Sequence, residues 1–105
     1  MQPEAIAKLR AMCGGPRDGA LLRMAIANAL LAQNDAPGAI AELREALRFD
    51  AGYSAAWKLL GRTLATAGDT AAAIDAYQAG IAAAIERGDK QAEKEMTVFL
   101  RRLAR

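Results

Sequence analysis

Apolar residues recur at three- and four-residue spacing along nearly the whole chain, which is the signature of amphipathic helices. Ile6, Leu9, Met12 and Cys13 form a first stripe, expected to make a helix over 3–13 that Gly14-Gly15-Pro16 ends. Leu22, Ile26, Leu30 and Leu31 form a second, opened by Asp18 as a cap and broken at Asn34-Asp35. Asp35 caps a third, carrying Ile40, Leu43 and Leu47 and ending near Phe49. Ser54 opens a fourth with Trp57, Leu60 and Leu64, which stops at Gly68-Asp69. Ile74, Tyr77, Ile81 and Ile85 stripe a fifth that Gly88 terminates, and Asp89 caps a sixth carrying Met96, Phe99, Leu100 and Leu103. Connections this short force consecutive helices to run antiparallel.

The stripes also repeat. Ala5-Ile6, Ala39-Ile40 and Ala73-Ile74 lie 34 residues apart, and the Pro3–Arg10 stretch lies over Pro37–Arg44. A fixed period of this length means one supersecondary unit used again, each copy hiding its apolar side against the next. Trp57, Leu60, Gly61 and Leu64, followed by Ala73 and Tyr77, resemble the tetratricopeptide repeat pattern W-x2-L-G-x2-Y…A-x3-F, with Leu64 in place of its Tyr and Ile85 in place of its closing Pro. The earlier copy has Ile26-Ala27 for Leu-Gly, Leu30 for the Tyr, Ala39 and Leu43 in the second half, and Arg23 where the Trp would stand.

The resemblance implies an all-α, right-handed α-solenoid of antiparallel helix pairs, about six helices in a single domain over 1–105. Its parts would be an N-terminal half-repeat helix over 3–13, repeats over 20–53 and 54–87, and a C-terminal capping helix over 89–104. In the capping helix, strict period puts Glu95 over Gly61, a poor packing residue; a five-residue slip puts Met96 over Trp57 and Leu103 over Leu64, and is preferred.

Composition narrows the class. Aromatics are only 5% of the chain and Val98 is the only valine, so β structure lacks its usual residues. The net charge of +2 is too mild for a dense nucleic-acid stripe. The basic spot at Arg101, Arg102 and Arg105 reads as a solvated helix end, with nucleic-acid binding there as a minor alternative. With a single cysteine, Cys13, no internal disulfide forms. No secretory leader or membrane-length apolar run is evident, and the expected location is the cytoplasm.

The chain has no histidine, and its one serine, Ser54, suits a cap. Cys13 lies on an apolar stripe, where an inert thiol is expected. Asp35 and Asp69 are equivalent turn residues and do not make a calcium loop. Gly14–Gly19 is glycine-rich but lacks the Lys-Ser/Thr ending of a phosphate loop. The expectation is no enzyme, no cofactor and no metal.

The family resemblance implies a protein-interaction module that takes a peptide or partner helix in a concave groove lined by the first helix of each pair. Carried over by register, the groove residues would be Leu21, Met24 and Asn28, then Ala55, Lys58, Arg62 and Thr66. Lys58 and Arg62, four apart on one face, suggest an acidic partner; the bland reading leaves them solvated or pairs them with a neighbouring acid such as Glu42 or Glu45. Trp57, Tyr77, Phe49 and Phe99 are expected in the core. The alternative function is self-assembly through terminal helices, which would leave Met12 and Cys13, or Met96 and Phe99, exposed.

Overall fold

A computed structural model describes residues 3–104, so Arg105 of the basic end lies outside the described residues. Among the described residues there are six helices and no strand: α1 Pro3–Arg10, α2 Ala20–Ala32, α3 Ala36–Phe49, α4 Ser54–Thr66, α5 Thr70–Arg87 and α6 Lys90–Leu103. They fall into two compact units that part between Asp50 and Ala51.

In the first unit α1 and α3 pack on α2. The α2–α3 pair buries Ile26, Ala27, Ala29 and Leu30 against Ala39, Leu43, Ala46 and Leu47. The turn between them is built from local chemistry. Asn34 takes a left-handed φ of 61°, the Asp35 N–H returns to the Leu30 carbonyl at 2.9 Å, and the Asp35 carboxylate accepts from the Gly38 N–H at 2.9 Å. The same device recurs one period later. Gly68 has φ 90°, the Asp69 N–H reaches the Leu64 carbonyl at 3.0 Å, and the Asp69 carboxylate accepts from Ala72.

In the second unit α4, α5 and α6 pack on one another. Tyr77, Ala84, Ala92 and Met96 form a buried cluster, with Trp57, Ile81, Phe99, Leu100 and Leu103 packed against it. The rings of Tyr77 and Phe99 lie 5.7 Å apart, tilted by 41°. Small residues set the spacing of the helices. A Cβ on Gly61 would lie 2.5 Å from the Tyr77 ring, and one on Gly80 would meet the Met96 sulfur and the Trp57 Cβ. Met96 is fully buried while Glu95 is half-exposed, so the thioether and not the carboxylate supplies the packing in α6.

Several local expectations are corrected. α1 stops at Arg10; Met12 and Cys13 sit in tightened turns that bond back three residues, leading into Gly14 at φ 82°. Asp18 does not cap α2, because its carboxylate is taken by Arg23 and by the Gly14 and Gly19 N–H groups. Ser54 is the first helical residue and not the cap, and its buried hydroxyl has no hydrogen-bond partner. Phe49 is 53% exposed at the last position of α3. Ile85 is likewise exposed, since the buried line of α5 runs Ala73, Ala76, Tyr77, Gly80, Ala84 and leaves it one residue off the core face.

Candidate functional site

The candidate residues occupy equivalent positions on α2 and α4, one period apart. On α2, Leu21 is 77% exposed, Asn28 is exposed, and Met24 is half-buried between them. The Asn28 amide donates to the Met24 carbonyl at 3.2 Å, which holds it along the helix. On α4, Ala55, Arg62 and Thr66 are exposed and Lys58 is half-buried. Spacings of three, four and seven put each set on one helix face. The opposite face of each helix is the buried one, with Ile26, Ala27 and Leu30 on α2 and Leu60, Gly61 and Leu64 on α4. Within each unit, then, the first helix of the pair turns most of these positions to solvent and leaves Met24 and Lys58 half-buried.

Lys58 takes an acid within its own unit, and Arg62 is exposed to solvent. Lys58 pairs with neither Glu42 nor Glu45; its Nζ lies 3.1 Å from Glu95 Oε2 on α6. Arg62 has no carboxylate partner among the described residues. Its charge acts on Tyr77, whose hydroxyl is pushed above the ordinary phenol range by burial, an effect Arg62 partly offsets.

One arrangement went unread in the sequence. Arg23, at the position where the next repeat has Trp57, makes two 2.9 Å hydrogen bonds to Asp18 and reaches Glu42 at 3.4 Å. All three side chains are mostly buried. The Arg23 guanidinium and the two N–H bonds hold the Asp18 carboxyl far below the usual carboxylate range, and Asp18 in turn raises Arg23. A cation at a core position was the available signal, because such a charge needs buried acids. Trp57 satisfies the same place differently, donating its Nε1–H to the Ala51 carbonyl at 2.7 Å.

The residues named for self-assembly are largely packed. Met96 is buried, Phe99 rests on Tyr77, and Met12 and Cys13 are half-buried. Arg101 and Arg102 are exposed. No described helix is long and apolar enough to cross a membrane.

No family model matches the chain. It is 50% identical over 88 residues to a TPR repeat-containing protein of Pseudomonas aeruginosa, covering 84% of each. The chain belongs to the tetratricopeptide repeat family. Solved structures agree. A protein from Bordetella parapertussis, 45% identical, superposes with a TM-score of 0.80 over 99% of this chain and 90% of its own. A tetratricopeptide repeat domain protein from Salinibacter ruber, 28% identical, gives 0.77 over 84% and 88%. Family membership makes this chain a protein–protein interaction module in broad class. It also accounts for the recurrence of the turn at Asn34-Asp35 and Gly68-Asp69.

Proposed function

We propose that this tetratricopeptide repeat protein is a non-catalytic module that takes an extended or helical segment of a partner protein on the exposed face of a first-type helix, α2 in the first unit or α4 in the second. The observation that carries the reading is the exposure of Leu21 and Asn28 on α2 and of their period-equivalents Ala55 and Arg62 on α4, with Met24 and Lys58 half-buried beside them. Solvent-facing side chains thus stand at the same place in both copies, Leu21 with Ala55 and Asn28 with Arg62. Leu21, 77% exposed, offers apolar area that water disfavours; Arg62 offers a planar donor with no competing carboxylate.

Leu21 on α2 suits a large apolar residue of a partner segment, and Arg62 on α4 suits an acid. Lys58 contributes to that selectivity only by giving up Glu95. An exchange of one exposed carboxylate for another costs little, because such pairs contribute about 0–1 kcal/mol. Lys58 therefore adds specificity and little affinity, and Arg62 is the stronger acid contact.

The test is a quantitative pull-down from native lysate with wild type, Leu21→Asp and Arg62→Glu. Both substitutions lie on solvent-facing positions and leave the fold within about 0.5 kcal/mol. Proteins retained by wild type and lost from either variant support the reading. Identical recovery from all three proteins overturns it.

A further inference from the structure

The outward side of α6 has a segregated charge pattern. At 3.6 residues per turn, Lys90, Gln91, Lys94, Val98, Arg101 and Arg102 fall within an arc of about 120°. All six are exposed, and Val98 is 42% exposed at the centre of the arc. Four of the six are cations and none is an acid. The acids of α6 lie on the two flanks: Glu95 is engaged by Lys58 at 3.1 Å, and Glu93 is half-buried. None of the four cations has an ion pair among the described residues.

Helix stability does not explain this segregation. Arg101 and Arg102 in the last turn suit the helix dipole, but Lys90 is the first residue of α6, where a cation opposes it. Lys90 and Lys94, four apart, also repel each other. A solubilising terminal face would do as well with mixed signs, which would remove both penalties.

We infer that this face docks an acidic amphipathic helix of another protein, with carboxylates meeting Lys90, Lys94 and Arg101 and one apolar side chain seated on Val98. The three cations follow one line down the helix over about 16 Å, which matches acids at helical spacing on a partner. Among the described residues this arc carries no aromatic ring on which a base could stack, because Phe99 is turned inward onto Tyr77. One exposed valine is too little apolar surface for insertion into a bilayer. A second copy of the same face is excluded by like charge.

The probe is a fluorescein-labelled 20-residue peptide, alanine-based, with Glu at helical spacing on one face around a single Leu. Its control has the same composition in scrambled order. Anisotropy titrations use the whole chain, with Lys94→Glu/Arg101→Glu and Val98→Ser as variants and circular dichroism to verify their folding. The ordered peptide should bind at least about tenfold more tightly than the scrambled one, and the double charge reversal should remove that advantage. A peptide with Lys in place of Glu should bind the reversed variant and not wild type. Val98→Ser should weaken the ordered peptide by about threefold or more. Equal binding of the scrambled peptide, or indifference to the double reversal, overturns the inference. Tighter binding of duplex DNA of equal charge, or of phosphatidylserine vesicles, also overturns it and assigns the face to nucleic acid or lipid.

Discussion

Gly61→Ala tests the packing argument because two opposing effects meet at one atom. Alanine stabilises a helix interior by about 0.8–1.0 kcal/mol relative to glycine. Against that, the new Cβ would sit 2.5 Å from Tyr77 Cε1 and 2.7 Å from Cδ1 and Cζ. Carbon atoms prefer about 3.5–4.0 Å, so the ring or the helix must retreat by roughly 1 Å. Tyr77 is only 3% exposed and its ring lies against Phe99, so it has nowhere to go without disturbing the cluster around Met96. Overpacking of this kind costs about 1–3 kcal/mol, and a rigid ring puts the site at the upper end. The net expectation is a loss of about 2 kcal/mol, read as a fall in melting temperature of roughly 10 °C or more. Urea unfolding followed by circular dichroism gives an independent value through the midpoint. In a Tyr77→Leu background the ring is gone, and the same substitution should become neutral or stabilising by up to about 1 kcal/mol. An unshifted or raised midpoint for Gly61→Ala in the wild-type background would refute the reasoning.

Other consequences follow from the same packing and charges. Met96→Ala removes a fully buried side chain and should destabilise by about 2–5 kcal/mol in thermal or urea unfolding, whereas Val98→Ala on the outer side of α6 should cost far less. Trp57→Phe keeps most of the ring but loses the bond to the Ala51 carbonyl, for about 0.5–1.5 kcal/mol by the same assay. Asp18 carries the acid sensitivity of the first unit. Its carboxyl is a stronger acid in the folded chain than the ordinary value of about 3.9, so its contribution is complete above that pH and is lost as pH falls through the lower folded value. Thermal unfolding of wild type and Asp18→Asn should therefore differ at neutral pH and converge in strong acid; a gap that persists there contradicts the assignment. Glu95→Gln frees Lys58 at the cost of an exposed pair, so stability should change by less than about 1 kcal/mol in urea unfolding.

Helix number, the turn chemistry and the family were legible because period, capping aspartates and the Trp57–Tyr77 pattern all lie in local sequence. Asp35, Asp69, Gly88 and Asp89 perform the roles their types suggest. What local pattern misses is competition for a side chain from elsewhere in the fold. Asp18 looks like a cap until Arg23 takes it, and the acid that pairs with Lys58 is neither Glu42 nor Glu45 but Glu95, 37 residues away. Phe49 and Ile85 fit apolar stripes by spacing, but each falls beyond the edge of the buried face, which only the packed helix pair defines. The positions proposed for the candidate surface came from repeat register. Leu21, Asn28, Ala55, Arg62 and Thr66 are exposed while Met24 and Lys58 are half-buried, and the charge pattern of α6 needed the partition between flank and outer arc.

The most direct test of the central claim is amide chemical-shift mapping of the labelled chain titrated with a partner protein recovered by the wild type. Perturbations concentrated at Leu21, Met24 and Asn28, absent with Leu21→Asp, or at Ala55, Lys58, Arg62 and Thr66, absent with Arg62→Glu, are the expected result. Perturbations confined to the exposed sides of α3 and α5, with the α2 and α4 faces silent, would contradict it.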